Sequence, residues 1–279
     1  MKPTKLHFGT AGIPLSTPGT ATTLEAFPHL NTLGLDAMEL EFVRSVHVKK
    51  EKAPLVKQAA QKHNIVLTCH GQYWINMNAK DSAIIKASIS RAIEAATRAY
   101  ECGAWSTCFH MAYYMGNTPE QAYEKIKKNV KEVMNHLKNN DIGIWVRPET
   151  GGKLTQFADI DQLIKLSQDV DQVLPCIDWA HHCARTNGKV NNHEEFTKIL
   201  EKIEKGLGRE ALDNMHMHIE GIEWNEKGER NHLTFNESAF NYKDALKACK
   251  DFKVKGVIIS ESPNIEEDAR IAKNYYEER

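Results

Sequence analysis

The sequence predicts an α/β protein, a single (β/α)8 TIM barrel over residues 1–279, and three observations predict it. Eight short apolar runs alternate with eight longer amphipathic stretches, the pattern of a parallel sheet with its helices outside. The length of 279 residues suits one such barrel, which needs about 250. Most of the apolar runs end on a histidine or an acid, and in a parallel barrel every strand end opens onto one face, where active sites sit.

The strand runs fall at residues 6–12, 37–42, 65–71, 105–111, 143–150, 173–180, 215–221 and 256–260. Helical patterns fall between them, at 23–33, 49–63, 81–102, 119–139, 159–166, 193–205, 242–252 and 265–276. Local chemistry marks several boundaries. Asn117-Thr118-Pro119-Glu120 places a cap and a helix-starting proline before an apolar-periodic run. Asp81 caps a long helix whose small face (Ala87, Ala92, Ala95, Ala96, Ala99) can approach a sheet closely. Gly34, Gly103, Gly143 and Gly256 stand between a helix and the next strand, where glycine closes αβ loops. Two polar loops are longer than the rest, 187–192 and 221–238. The second carries Trp224, Glu229, Arg230, Asn231 and His232, and long loops on an active face serve substrate binding.

The formal charge is -1, so nothing global marks a polyanion partner, and a nucleic-acid enzyme of this charge would rely on a local basic face. Lys49, Lys50, Lys52 and Lys57, and Lys125, Lys127, Lys128 and Lys131, read as solvated helix faces. The six cysteines (69, 102, 108, 176, 183, 249) contain no Cys-x-x-Cys pair and read as small buried hydrophobes of a reducing compartment, outside any metal site. The N-terminus shows no signal-peptide run, and no apolar stretch approaches the ~20 residues that cross a bilayer. A cytoplasmic monomer with no membrane association is expected.

The chemistry lies in the strand ends. The third run ends at His70, the fourth at His110 and the fifth at Glu149. The sixth ends at Asp178 with His181 just beyond, the seventh carries His216 and His218, and the eighth ends at Glu261. Among the thirteen histidines these stand apart, because each terminates a strand; His7, His29, His47, His63 and His136 read as ordinary packing residues. Imidazole and carboxylate ligands without thiolate suit zinc or manganese. The set is too large for one ion but serves two or three, with Glu149 and Glu261 as bridging or base-positioning carboxylates. Such a centre can activate water and stabilise both oxygens of a phosphodiester. His216 and His218 are two apart and share a side of their strand. His218, nearer the rim, is the expected ligand; His216 is a deeper ligand or its outer partner.

These residues give the chain a family likeness. His70-Gly-Gln-Tyr73-Trp-Ile-Asn76, Phe109-His110, Pro148-Glu149-Thr150-Gly-Gly, Asp178-Trp-Ala-His181 and Ser260-Glu261-Ser-Pro263 occur in order from about residue 65 to the end. In that order they resemble the motifs of the endonuclease IV family of apurinic/apyrimidinic endonucleases, within the xylose-isomerase-like TIM barrels. The resemblance implies a three-zinc, cytoplasmic DNA-repair hydrolase that cleaves duplex DNA 5′ to an abasic site. It implies His70, His110, Asp178 and His181 as ligands, Glu149 and Glu261 as bridging catalytic carboxylates, and Tyr73 and Asn76 in the loop facing DNA. Arg44, in the loosely similar Glu41-Phe-Val-Arg44, would be a phosphate or minor-groove contact. The chain departs from the pattern after the seventh strand. The family has H-L-N-D and a later D-x-H; here stand His218-Ile-Glu-Gly and Gly228-Glu229-Arg230-Asn231-His232. His232 replaces the final histidine, and either Glu229 or Arg230 falls where the aspartate belongs.

The same barrel supports two other readings. A sugar isomerase or epimerase of this fold would use one divalent metal on Glu149, Asp178, His218 and Glu261, the glutamates moving a proton beside a carbonyl. That scheme has no use for His70 and His110, whose presence favours the nuclease. A metal-binding scaffold without activity is the third reading, disfavoured because every carboxylate the chemistry needs is retained.

Overall fold

A computed structural model describes residues 3–278. Twelve strands run in chain order: β1 Leu6–Ala11, β2 Ala37–Glu41, β3 Val66–His70, β4 Ser106–Phe109, β5 Ala112–Tyr113, β6 Trp145–Pro148, β7 Gln156–Phe157, β8 Cys176–Asp178, β9 Met215–Ile219, β10 Gly221–Asn225, β11 Gly228–Leu233 and β12 Gly256–Ser260. The helices are α1 Thr23–Thr32, α2 Ala53–Lys62, α3 Ser82–Glu101, α4 Pro119–Asn139, α5 Ile160–Asp169, α6 Trp179–Arg185, α7 His193–Leu207, α8 Arg209–Leu212, α9 Tyr242–Asp251 and α10 Glu266–Glu277.

Eight strands form one parallel sheet in the order β6-β4-β3-β2-β1-β12-β9-β8. Its two edges meet through the bridges Val146–Val173 and Glu149–Cys176, which bring the sheet to a nearly closed barrel, the (β/α)8 architecture expected. Two close approaches depend on glycine. A Cβ on Gly256, whose φ is +131°, would lie 1.8 Å from the Met215 carbonyl of β9, and one on Gly9 would lie 2.3 Å from the Ala37 carbonyl of β2.

Alternation along each strand sorts side chains between two cores. Met38, Leu40, Leu67, Met217 and Ile258 pack outward under the helices. Ala37, Val66, Trp105, Val257 and Ile259 form a separate cluster at the floor of the lumen. Arg147 is buried above that floor. Its guanidinium stacks 4.7 Å from the Trp105 ring and donates to the Pro175 and Asn214 carbonyls and to Asn214 Oδ1. Much of the remaining lumen is polar, unlike the branched apolar filling usual in this fold.

Several boundaries follow their capping chemistry. Asp81 accepts from the Ala83 amide at the start of α3, and Thr118 with Gln121 forms a capping box at α4. The expected helix 49–63 begins instead with a 3-10 turn, Lys50–Lys52, and becomes α-helical where Pro54 can occupy its first turn. The sixth strand is shorter than residues 173–180 because Asp178 ends β8 and at once caps α6, accepting from the His181 amide at 2.6 Å. The loop expected at 221–238 is a β10–β11 hairpin followed by a 3-10 turn, Phe235–Glu237. Lys125 donates to the Ala79 carbonyl and Lys127 pairs with Glu124 and Asp169, which fits a solvated helix face.

Candidate metal centre

The strand ends converge on Glu149. This carboxylate, 1% exposed at the end of β6, is surrounded by four imidazoles. His70 Nε2 and His110 Nε2 lie 3.2 and 3.6 Å from Oε2; His218 Nδ1 and His181 Nδ1 lie 3.2 and 3.5 Å from Oε1. One oxygen therefore faces the ends of β3 and β4, and the other faces the ends of β8 and β9. Burial alone would raise its pKa, but His110 and His218 outweigh that and hold the carboxyl well below the usual range. Burial disfavours a charged His70, yet Glu149, Glu41 and Glu261 push it up to about 10. His110 falls below the ordinary imidazole value, because burial and the neighbouring His181 and His70 exceed the pull of Glu149.

Three of the donor groups are built of imidazoles and carboxylates alone and share members; in others Cys108 stands with His70 and Glu149, and Cys108 and Cys176 stand with His216 and His218. His110, Glu149 and His181 place ligand atoms within 4.8 Å of one another, and His70 joins them through Glu149. Glu149, Asp178, His218 and Glu261 form a second group. Here Glu261 Oε1 is 3.5 Å from His218 Nδ1, and the buried Asp178 Oδ2 lies 3.0 Å from His181 Nδ1. His181, Glu229 and His232 form the third. His181 Nε2 and His232 Nε2 face each other at 3.2 Å, with Glu229 Oε2 3.8 Å from His181 Nε2. Two imidazole nitrogens meeting head-on at 3.2 Å among buried acids are what a cation site would reconcile. The imidazole and carboxylate donors, with Cys108 and Cys176 beside them, fit a divalent metal ion.

The hairpin explains how Glu229 comes to stand there. Trp224 pairs with Glu229 and Glu223 with Asn231, so Arg230 is an extra residue in a β-bulge. The bulge shifts the alternation by one, so Glu229 reaches the face of His232 although the two are three apart. Arg230 is left exposed. The Glu229 amide donates to the Gly152 carbonyl at 2.9 Å, and a Cβ on Gly152 would meet the Glu229 carboxylate at 2.5 Å. Gly152 is therefore the recess into which Glu229 fits.

Of the residues singled out in the sequence, His70, His110, Glu149, Asp178, His181, His218, His232 and Glu261 gather at this centre. His216 lies below it. Its Nδ1 is 2.8 Å from Ser106 Oγ and its Nε2 is 2.9 Å from Glu39 Oε2. Tyr73 and Trp74 stand 59% and 63% exposed at the mouth, with the Tyr73 ring edge-on to His70. Arg44 is exposed beside them, beyond β2. Asn76 faces its own loop: its Oδ1 accepts from the Asn78 amide at 3.1 Å and from Tyr113 at 3.5 Å.

Sequence reasoning missed three acids. Glu39 and Glu41 alternate inward along β2 behind Ala37, and Glu220 follows β9 two residues after His218. The same period of two that paired His216 with His218 would have found them. Burial, with Glu39 beside it, raises Glu41 to about 8. Burial and Asp178 push Glu220 well up, and neither of its oxygens has a partner. All six cysteines are buried and free, but Cys108 and Cys176 face the lumen, their sulfurs 3.7 and 3.8 Å from His218 Nε2, and stand among the metal-competent donors, so the expectation that every cysteine lies outside such a site does not hold for these two.

Residues 27–278 match the family described as xylose isomerase-like TIM barrel, and the chain belongs to it. A relative at 42% identity is the uncharacterized protein MJ0133 of Methanocaldococcus jannaschii, aligned over 98% of this chain and 97% of its own. Among solved structures, endonuclease IV from Thermus thermophilus superposes with a TM-score of 0.74 at 16% identity, covering 97% of this chain and all of that one (100%). A D-tagatose 3-epimerase-like protein does so with 0.71 at 18%, covering 96% of each. At such identities both likenesses are of fold. No helix among the described residues is long and apolar enough to cross a membrane.

Proposed function

We propose that the protein is a metal-dependent phosphodiesterase that holds two or three zinc or manganese ions and cleaves duplex DNA 5′ to abasic sites. The observation that carries this reading is the division of Glu149 between two groups of imidazoles, His70 with His110 on one oxygen and His218 with His181 on the other. A one-ion reaction has no use for the first pair. Bound there, the ions would supply Lewis acidity at the oxygens of the scissile phosphodiester.

The chain's own residues do the rest. Glu149 and Glu261 hold the ligand histidines in register from either side of His218. Arg44 offers a phosphate contact at the mouth, and Tyr73 and Trp74 offer exposed rings on which an unstacked base or the gap beside an extruded sugar can rest. Asn76 fixes the loop that carries both rings.

A second reading, a sugar isomerase or epimerase, is favoured by one arrangement. Glu149 and Glu261 flank His218 Nδ1 at 3.2 and 3.5 Å within the four-residue group that includes Asp178, a set sufficient for one ion and proton transfer beside a carbonyl.

The deciding experiment is cleavage of a duplex oligonucleotide carrying one synthetic abasic site, with added zinc or manganese and the His110→Ala protein alongside. A metal-dependent nick 5′ to the lesion, absent with the variant, supports the nuclease. Folded, metal-loaded protein that leaves the duplex intact refutes it and directs the search to ketoses.

A further inference from the structure

Beneath the centre the lumen holds one fully buried acid between two imidazoles. Glu39, 0% exposed in the middle of β2, has Oε1 2.9 Å from His218 Nε2 and Oε2 2.9 Å from His216 Nε2. No lysine or arginine ion pair to it is found among the described residues, and the terminal nitrogens of Arg147 donate to Pro175 and Asn214.

The proton positions follow from what each group can do. An ionised carboxylate only accepts, and a neutral imidazole carries one N–H. His218 has a carboxylate on each side, Glu39 at Nε2 and Glu149 at Nδ1; with a cation on the Nδ1 side, its one proton sits on Nε2, toward Glu39. Nδ1 is left as a bare lone pair 3.2 Å from Glu149 Oε1 and 3.5 Å from Glu261 Oε1, where an ion would be ligated. At His216 the same rule puts the proton on Nε2, and Nδ1 accepts from the Ser106 hydroxyl at 2.8 Å. His216 then has no lone pair to give an ion; it braces Glu39 from the far side.

We propose that Glu39 is the positioning carboxylate of this metal centre: it fixes the tautomer and ring plane of His218 for the ion shared with Glu149, Asp178 and Glu261, with His216 and Ser106 as its brace. The inference rests on His218 being a ligand, as the proposed function requires. A carboxylate–imidazole–metal chain of this kind makes the ligand nitrogen more basic and holds it in place before the ion arrives. It also explains why a carboxylate is tolerated in the lumen. Glu39 stands 2.9 Å from two imidazole nitrogens, the Cys108 thiol donates to its Oε2 at 3.6 Å, and a cation would stand beyond His218.

The test uses the full-length protein and zinc alone, with no nucleic acid. Glu39→Gln is expected to weaken one zinc site by about 10–100-fold in chelator competition, leaving the remaining zinc in place. Glu39→Asp is expected to recover part of that loss. Long-range proton–nitrogen NMR of the zinc-loaded wild type is expected to show His218 protonated at Nε2, with that proton shifted downfield relative to the Glu39→Asp protein, a difference that a merely structural carboxylate would not set. Should Glu39→Gln fail to fold, the aspartate variant and the wild-type tautomer still decide the matter. Unchanged zinc affinity in a folded Glu39→Gln protein overturns the proposal, as does a proton on Nδ1. A thiolate-to-cobalt charge-transfer band in the cobalt protein overturns it too, because Cys108 or Cys176 would then share an ion with the Nε2 atoms. If His218→Ala leaves the zinc content whole, the metal-centre reading fails instead; if zinc and tautomer behave as expected but abasic DNA stays intact, only the nuclease reading does.

Discussion

Replacing Glu149 by glutamine tests the architecture of the centre most directly. Each carboxylate oxygen serves a different pair of imidazoles, at 3.2 and 3.6 Å on one side and 3.2 and 3.5 Å on the other. The amide keeps one oxygen and presents an N–H donor in place of the second, so at least one group loses its shared anionic ligand while the fold keeps its shape. Metal bound at a hundredfold excess over Kd stabilises the folded state by about 2.7 kcal/mol per site. For a chain of this size that is roughly 5 °C or more in Tm per ion. Glu149→Gln is expected to lose one or two ions by elemental analysis and at least that much of the zinc-induced rise in Tm. His232→Ala, which removes a donor from the group with His181 and Glu229, is expected to lose a single ion. If Glu149→Gln kept the wild-type stoichiometry and the full thermal rise, the carboxylate would not bridge, and the centre would have to be drawn without it.

Other expectations follow from particular contacts. Gly152→Ala should push the Glu229 carboxylate out of its recess and reduce metal content as His232→Ala does; an unaltered stoichiometry would show that Glu229 is not a ligand. His110→Ala should lower metal content and abolish nicking, and Glu261→Gln should leave circular dichroism unchanged while nicking disappears; activity retained by either removes that residue from the centre. Asp36 accepts from the Phe8 amide at 3.1 Å and pairs with His7 and Lys5, and those partners overcome its burial to hold it at about 2 against an ordinary 3.8. A depressed folded-state value stabilises above the unfolded pKa and is lost as pH falls through the folded one. Asp36→Asn should therefore cost about 1–2 kcal/mol at neutral pH, allowing for the exposure of Lys5, and the deficit should shrink between about pH 4 and 2 in denaturant titrations. A deficit that stays constant with pH would mean the hydrogen-bond geometry, not the charge, is responsible.

The barrel was legible because its signals are repeated. Eight apolar runs, six of them with acids or histidines at their ends, are a pattern that local exceptions cannot hide, and the convergence of His70, His110, Glu149, Asp178, His181, His218 and Glu261 follows from parallel topology, while His232 was read from the family resemblance and sits on the antiparallel hairpin. What escaped was local. The β10–β11 hairpin is polar and bulged at Arg230, so it lacks a clean alternation, and the choice between Glu229 and Arg230 turned on that single extra residue. Helix α6 was hidden because Asp178 both ends a strand and caps a helix. Glu39 lies a layer below the rim, where attention to strand ends does not reach. Cys108 and Cys176 were grouped with the apolar packers, since a cysteine's composition does not say which side of the sheet it faces.

The donors of this centre lie along almost the whole chain, from His70 on β3 to Glu261 after β12, and Glu39 of β2 supports them from below. No contiguous segment owns a complete ligand group: the most local one, His181, Glu229 and His232, already needs the hairpin folded back over α6. An ion in this setting cannot serve as a seed around which a nascent chain condenses, because its ligands meet only after distant strands have found their register and the sheet has curled round. Metal uptake would instead come last and read out completion. A nicked, truncated or half-formed copy would lack the combined donors needed to retain the ions, and scarce metal would be reserved for finished molecules.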